Sequence, residues 1–557
     1  MAAGQSSPSH PGLALIGELG CTYCHAGLRY QSTLRDLTPD LSSAGLRYNP
    51  AYLFEYLQNP SRVRQHLGNA RMPNFRFSEK ESLALVAFLE KQRSIPGTWP
   101  ALPAALVDNQ PTVPSSMNPA AVTDAKSQIA VCLGCHTLEG KGASRAVDLS
   151  GLTHRLQPDW VRKFLVSPQM FGVAVTTMPP LFYRLSGNPQ HFEANTPDAV
   201  KRIQLLTDYM FSFQPQRRDA LSQKFAAAKT KFPGVTTELG EAIFRSQNCA
   251  ACHRHGSTTP REDAAPELID EAGRVSQAWL ETYLRQPTAV RPFGFHPGDG
   301  SRMPDFRLGA EEVLQISGYL WSLAGKQPNG PVGFKPQQLS AFSLLKAKTL
   351  LNDKLSCLGC HSLGGQGGKV GPDLALSRIR LQPSYIYSMI VNPRAMNTHT
   401  IMPRLPLPEA TANLVANFLL QQNASAPTAD YLSLTDYPLL PLAALSTKAQ
   451  QPPREQYMTH CGVCHGLDGR GTGFNARFLP QAPTAHADAA YMSVRPDDTL
   501  YDGIAAGGAI LNKSHFMPAW GEMLSPAEIK NLVAYMRTLC QCQGPAWSRD
   551  NSGAKQR

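Results

Sequence analysis

The stretch CTYCH at positions 21–25 recurs as CLGCH at 132–136, CAACH at 249–253, CLGCH at 357–361 and CGVCH at 461–465. Each copy has the form Cys-x-x-Cys-His, which is the signature of covalent haem c attachment. Both thiols form thioethers to the porphyrin, and the adjacent histidine becomes the proximal iron ligand. A single copy could be a redox dithiol or half of a zinc site. Five regularly spaced copies, which use ten of the twelve cysteines, favour five haems.

The predicted cofactors are therefore five haem c groups, each with one iron. The cysteines that would attach them are Cys21, Cys24, Cys132, Cys135, Cys249, Cys252, Cys357, Cys360, Cys461 and Cys464. The proximal ligands would be His25, His136, His253, His361 and His465.

A sixth ligand can be predicted for each iron. One methionine in each interval after a haem motif precedes a proline, 41 to 52 residues beyond the motif histidine. A thioether suits haem iron and raises its reduction potential, and the proline favours an extended backbone at the methionine. In chain order, the predicted axial methionines are Met72, Met178, Met303, Met402 and Met517. Alternatives are Met170, Met396 and Met523, and the histidines that could compete are His255, His399 and His515.

Length and spacing favour one small domain per haem, since 557 residues leave about 110 for each. The predicted domains are 1–98, 120–215, 234–326, 338–424 and 446–543, joined by proline-rich linkers or straps at 99–119, 327–336 and 427–453 and by a more basic connector at 215–233. A net charge of +11 raises the question of nucleic-acid binding. We exclude that function, because the ten propionates of five haems would cancel most of the charge and the basic residues are dispersed.

The modules repeat one plan, which is typical of a tandem array. A Pro-acid-Leu loop follows the haem motif at Pro39, Pro266 and Pro372, whereas the second module has Val147 at that place. An amphipathic helix comes next, in which an aromatic residue and its i+4 partner share one face. The helix pairs are Tyr52/Tyr56, Trp160/Phe164, Trp279/Tyr283 and Tyr385/Met389. Sequence shared between modules one and three, and between modules two and four, indicates a duplicated two-haem unit, from which module five differs.

These motifs resemble the class I cytochrome c family, repeated five times. The resemblance implies a mainly α fold of five tandem small helical domains. It also implies that the carbonyl of the loop proline accepts a hydrogen bond from the proximal histidine, which tunes the basicity of that ligand. Pro39, Pro266 and Pro372 match that place, and Val147 departs from the pattern.

Haem c is attached outside the cytoplasm, so we expect a periplasmic or otherwise extracytoplasmic protein. Residues 1–5 lack a basic n-region and 13–16 is too short for a hydrophobic core, so we expect no signal peptide in this sequence. No apolar stretch is long enough for a transmembrane helix. Cys540 and Cys542 remain, either as thiols or a local disulfide, or less readily as a metal site or intermolecular bridge.

The predicted function is electron transfer along five His/Met-ligated haems between the redox proteins of a respiratory or dehydrogenase chain. With both axial positions filled, such haems offer no site for substrate. One alternative is a multihaem oxidoreductase in which one haem, with module two as the candidate, opens its methionine ligand to peroxide or a sulfur compound. Another is a cytochrome subunit of a dehydrogenase or oxidase complex, possible partners being membrane respiratory proteins but not nucleic acid.

Overall fold

The computed structural model describes residues 10–25, 28, 34–63, 70–107, 117–171, 176–255, 261, 265–324, 331–423, 430–440 and 451–548. The chain is mainly α-helical, as predicted, and it divides into two compact units. The first comprises Met1–Asp263 and Pro304–Glu312, and the second comprises Ala264–Met303 and Val313–Arg557. The third haem motif thus belongs to the first unit, while Met303 belongs to the second. Residues 1–5, in which we expect no signal peptide, and parts of the predicted linkers lie outside the described residues.

The first unit is built from helices and two hairpins. Its helices are α1 (Pro11–Glu18), α2 (Leu34–Leu37), α3 (Ala44–Arg47), α4 (Pro50–Gln58), α5 (Glu79–Glu90), α6 (Ala104–Val107), α7 (Pro119–Ile129), α8 (Leu152–Arg155), α9 (Pro158–Val166), α10 (Pro168–Phe171), α11 (Ala199–Phe211), α12 (Pro215–Lys231) and α13 (Thr237–Ser246). Its strands are β1 (Thr137–Leu138), β2 (Lys141–Gly142), β3 (Tyr183–Ser186) and β4 (His191–Ala194).

The second unit has the same character and one hairpin. Its helices are α14 (Glu271–Arg274), α15 (Gln277–Arg285), α16 (Ala310–Trp321, whose first turn is assigned to the first unit), α17 (Ala341–Asp353), α18 (Cys357–Cys360), α19 (Ser377–Arg380), α20 (Pro383–Val391), α21 (Pro393–Met396), α22 (Glu409–Leu420), α23 (Pro453–His460), α24 (Gly462–His465), α25 (Ala489–Ser493), α26 (Asp497–Ala506) and α27 (Pro526–Cys540). Its strands are β5 (Ser362–Leu363) and β6 (Gln366–Gly367). Within the described ranges of both units, no helix combines the length and apolarity that crossing a bilayer requires.

The predicted aromatic helices are α4, α9, α15 and α20. In the first three, the two rings stack on one helix face, with centroids 5.4, 4.9 and 4.6 Å apart. A proline in the first turn of α4, α9 and α20 fits because the missing N–H has no partner there in any helix. The helix α15 begins instead with Ser276, whose hydroxyl accepts from the Trp279 amide.

A short helix precedes each aromatic helix and ends in arginine. These helices are α3, α8, α14 and α19, and their last residues are Arg47, Arg155, Arg274 and Arg380. The residue after the arginine forms one antiparallel bridge, Tyr48 with Leu156 and Val275 with Leu381. Module one is therefore joined to module two, and module three to module four, by the same contact. This repetition agrees with the predicted duplication of a two-haem unit.

None of the three hairpins in the described residues was predicted. Two of them, β1–β2 and β5–β6, follow haem motifs two and four directly, and each has a two-residue turn. Both turn residues have positive φ, at Glu139 and Gly140 and at Gly364 and Gly365. That is the backbone of a type I′ turn, which matches the twist of the paired strands.

The segment 215–233, predicted as a connector, is instead the long helix α12. Its two prolines flank the helix rather than interrupt it, because proline is tolerated at the first helical position. It packs along α4, with the rings of Phe225 and Phe54 at 5.6 Å and an ion pair between Lys224 and Glu55. The segment therefore packs as a strap across the first unit, and a strap was the alternative to a linker that we predicted for the stretches between modules.

Candidate haem sites

The structure shows for four motif histidines the orientation that a proximal ligand needs. The ring Nδ1 lies within hydrogen-bond distance of a backbone carbonyl, so Nε2 remains for iron. The pairs are His136 with Val147 O (2.7 Å), His253 with Pro39 O (3.1 Å), His361 with Pro372 O (2.7 Å) and His465 with Thr484 O (2.8 Å).

These contacts both confirm and correct the expected pattern. Pro372 supports the histidine of its own module, as the resemblance implies. Val147 does the same, because the bond uses a carbonyl that every residue carries. Thr484 follows a proline 18 residues beyond His465, a spacing that the shorter loops of the other modules did not suggest. Pro39, expected to support the histidine of module one, lies instead against His253 of module three.

Close backbone approach shapes the fourth site. A Cβ at Gly371 would lie 2.5 Å from the His361 ring, and one at Gly367 would lie 2.4 Å from the His361 carbonyl. Only glycine allows the loop to pass so near the ligand ring. The backbone therefore fixes the plane of the imidazole.

The fifth site has a second histidine beneath the first. The His486 ring stacks on the His465 ring with centroids 4.2 Å apart and planes 15° apart. The Tyr457 hydroxyl lies 2.9 Å from His486 Nδ1, and both side chains are buried. Burial, followed by the charge of His465, lowers the pKa of His486, so this ring stays neutral.

Burial disfavours the charged thiolate form of several motif cysteines. Burial raises the pKa of Cys21 to about 12 and that of Cys357 to about 11. Burial and then the nearby Cys24 raise the pKa of Cys249 to about 12. A thiolate is disfavoured in such surroundings, whereas a neutral thioether carries no charge to desolvate. In the described part of the chain, no group of three or more His, Cys, Asp or Glu side chains is arranged to hold a metal ion.

Motifs one and three lie against each other in the first unit. Asn248, which precedes Cys249, directs its amide Nδ2 to Tyr23 O (3.5 Å) and Cys24 Sγ (3.7 Å). The Thr38 hydroxyl donates to the Cys252 carbonyl. Cys24 also influences the pKa of both cysteines of motif three. Two attachment sites distant in sequence therefore adjoin in space.

Motifs four and five form a second pair, in the second unit. Asn475 is fully buried, and its Nδ2 donates to Gly359 O (2.9 Å) and Cys464 Sγ (3.3 Å). Its Oδ1 accepts from the Lys369 amide (2.8 Å). One side chain thus bonds to both motifs and to the loop that follows motif four. Neither Asn248 nor Asn475 was singled out from the sequence.

Motif two is the most open. Cys135 is the exposed cysteine among the ten of the motifs, and Val131, beside Cys132, is 68% exposed. The apolar cluster of this module includes Cys132 together with both candidate ligands, Met170 and Met178. In module five, Met517 and Met523 likewise pack against one cluster that contains Cys461. Both methionine assignments stay predictions.

The competing histidines have different surroundings. His255 bonds to Gln92 Oε1 at 3.0 Å and packs between Phe88 and Phe244, which is a structural role. His399 and His515 each keep one buried ring nitrogen without a hydrogen-bond partner among the described residues, so they stay alternatives. Cys540 and Cys542 are joined in a local disulfide, which is one of the predicted states.

Buried arginines supply a test of whether haem fits these sites. In the second unit, burial and then the like charges of Arg291 and Arg274 lower the pKa of Arg380 to about 9. The Nε atoms of Arg274 and Arg380 are shielded from solvent and have no hydrogen-bond partner within the described ranges. Arg380 and Arg291 also act on the pKa of His361. Arg274 pairs with the Glu271 carboxylate, but Arg291 and Arg380 bring further positive charge beside a proximal histidine, and propionates are anions of suitable geometry for such groups.

Comparison with known proteins agrees with the assignment of haem sites. Residues 237–324 and 453–540 each match the family model described as Cytochrome c. The chain is 24% identical over 230 residues to "Cbb3-type cytochrome c oxidase subunit FixP" of Azorhizobium caulinodans, covering 41% of this chain and 71% of that protein. No solved structure matches. The chain therefore contains cytochrome c domains, which bind haem c covalently and support a role in electron transfer.

Proposed function

We propose that this protein is an extracytoplasmic electron carrier that passes electrons through five covalently attached haems c between redox partners. Each haem supplies a one-electron iron centre when bound. The observation that carries the proposal is the juxtaposition of attachment motifs, one with three and four with five. Since electron tunnelling slows steeply with distance, adjoining attachment sites favour transfer between haems over isolated redox centres.

The protein's own residues would hold and tune these centres. The ten motif cysteines would fix the porphyrins, and the five histidines would ligate iron; a backbone carbonyl holds Nδ1 of His136, His253, His361 and His465, which leaves Nε2 for the metal. Methionine sulfur from the five Met-Pro loops would complete the ligation and raise the potentials. Arg291 and Arg380 would balance propionate charge in the second unit.

Mass measurement and redox titration of the exported protein test this proposal. Five haem masses are expected on the chain, and proteolysis should place one on each Cys-x-x-Cys-His peptide. The reduced protein should be low-spin throughout and reoxidise in several one-electron steps. Fewer than five haems, or an attachment motif without haem, would contradict it.

One alternative function is catalysis at the second haem, favoured by the exposure of Cys135 and by two methionines in one cluster. A haem that loses its methionine would bind carbon monoxide when reduced, or cyanide when oxidised. We expect no fast spectral change with either ligand. A rapid change of one-fifth of the haem absorbance, abolished by His136→Ala, would favour an oxidoreductase.

A second alternative is a subunit of a larger respiratory complex, favoured by the likeness to an oxidase subunit. Affinity purification of the tagged chain from its native host tests it. A stoichiometric oxidase or dehydrogenase partner that stays bound through gel filtration would support the complex. A single haem-bearing band that exchanges electrons with soluble donors would support the carrier.

A further inference from the structure

We infer that Met72, rather than Met303, is the sixth ligand of the haem attached at Cys249 and Cys252. This inference rests on the proposed function, since it requires haem at motif three. It departs from the assignment by chain order, in which each methionine serves the preceding motif. All the contacts that carry it lie within the first unit.

The proximal side of haem three is built from module one. The Pro39 carbonyl lies 3.1 Å from His253 Nδ1. The Leu41 amide donates to the Arg254 carbonyl at 2.8 Å, and the Thr38 hydroxyl donates to the Cys252 carbonyl. The loop 38–41 of module one thus follows the backbone of motif three on both sides of its histidine. The predicted place for this loop was beside His25.

The helix that closes module one also packs on the helix that leads into motif three. A Cβ added at Gly240 of α13 would lie 1.9 Å from the Ala84 carbonyl of α5, so the two backbones touch. The rings of Phe244 and Phe88 are 5.3 Å apart, and His255 bonds to Gln92 just beyond α5. The small residue at the crossing lets two aromatic side chains meet beside it. These contacts fix motif three against α5 over several turns.

Met72 lies in the chain between these two supports. Met72 precedes α5 by seven residues, so the end of its loop that leads into α5 is fixed near motif three by that helix. The loop is held further by the bridge between Asn74 and Asp305 and by the ion pair of Arg71 with Glu312 at 2.8 Å. The arrangement favours ligand exchange between modules over ligation in chain order.

The test labels one haem at a time without removing it. Cys252→Ala leaves haem three attached through Cys249 alone, and the free vinyl group shifts its reduced absorption band to longer wavelength. Cys24→Ala labels haem one in the same way. Met72→Ala is then introduced in each labelled protein, and the labelled band is followed by redox titration.

We expect Met72→Ala to lower the potential of the labelled band in the Cys252→Ala protein and to leave that band unchanged in the Cys24→Ala protein. The sulfur-to-iron charge-transfer absorbance of the oxidised protein should fall by one-fifth. Met303→Ala in the Cys252→Ala protein is the matched control, for which we expect no shift of the labelled band. A shift that follows Cys24→Ala, a shift caused by Met303→Ala, or no shift with Met72→Ala would each overturn the inference. A missing haem on the Cys249 peptide would instead contradict the proposed function.

Discussion

Replacing Asn475 with alanine should loosen motifs four and five together. The side chain is fully buried and makes two short hydrogen bonds to backbone groups, with Gly359 O and with the Lys369 amide. Truncation removes the side-chain partner of the buried Gly359 carbonyl and of the half-buried Lys369 amide, and a buried group left unsatisfied costs about 1–3 kcal/mol. The third contact, to Cys464 Sγ, is weak because sulfur is a poor acceptor, and it is neglected here. The local free energy of opening should therefore fall by about 3 kcal/mol.

Hydrogen exchange of the haem-loaded protein measures this loss directly. A fall of about 3 kcal/mol accelerates exchange through local opening by about two orders of magnitude, since each 1.4 kcal/mol is tenfold. The effect should appear in amides of both 357–371 and 461–475. Asn423→Ala, at an exposed site, is the control and should change nothing. Acceleration below threefold, or confined to one of the two motifs, would refute the idea that Asn475 joins them.

Three further changes test other parts of the fold. Arg380→Gln removes a positive charge beside His361 and should make the reduction of haem four less favourable by about 1 kcal/mol, which redox titration would measure as a lower potential. An unchanged or raised potential would contradict this. Burial lowers the pKa of His154 to about 4, so unfolding takes up a proton below pH 6.5 and stability should fall as pH drops from 6.5 to 4. Because His154 is partly exposed, we expect it to contribute only about 1 kcal/mol to this loss of stability. In melting curves, His154→Gln should therefore lose about 1 kcal/mol less stability than the unchanged protein between pH 6.5 and pH 4, and equal losses would count against this. Gly240→Ala should separate α13 from α5 and cost about 2–3 kcal/mol in denaturant titration, whereas Gly234→Ala, whose Cβ meets nothing within 4 Å, should be neutral; equal stability of the two variants would argue against the close crossing.

The local plan of the modules could be predicted because it is periodic. The haem motifs, the stacked aromatic helices and the closing helices each depend on residues a few positions apart. The proximal carbonyl was predictable where the loop is short, as at Pro372, and even Val147 fills that role. The hairpins after motifs two and four had a readable signal in their paired turn residues, which was missed because the family resemblance implies helices alone.

The arrangement of modules was not predictable, because chain order does not determine which copy of a repeated element packs with which. Sequence assigned the Pro39 loop to motif one, yet the loop lies against His253. Asn475 bonds to a carbonyl 116 residues away, and a lone asparagine in a loop carries no pattern that points to such a partner. Long-range polar contacts of this kind depend on tertiary structure alone.

The two asparagines have an electrostatic property in common that bears on electron transfer. Each bonds through its amide Nδ2 to a cysteine of one motif and joins that motif to its neighbour. A carboxylate in the same place has no hydrogen to donate to these partners, and its negative charge would favour the ferric state of a nearby haem iron. An amide holds the two motifs together without that charge. We therefore expect the axial ligands, together with Arg291 and Arg380 in the second unit, to set the haem potentials, so that joining the motifs and tuning the haems rest on different residues.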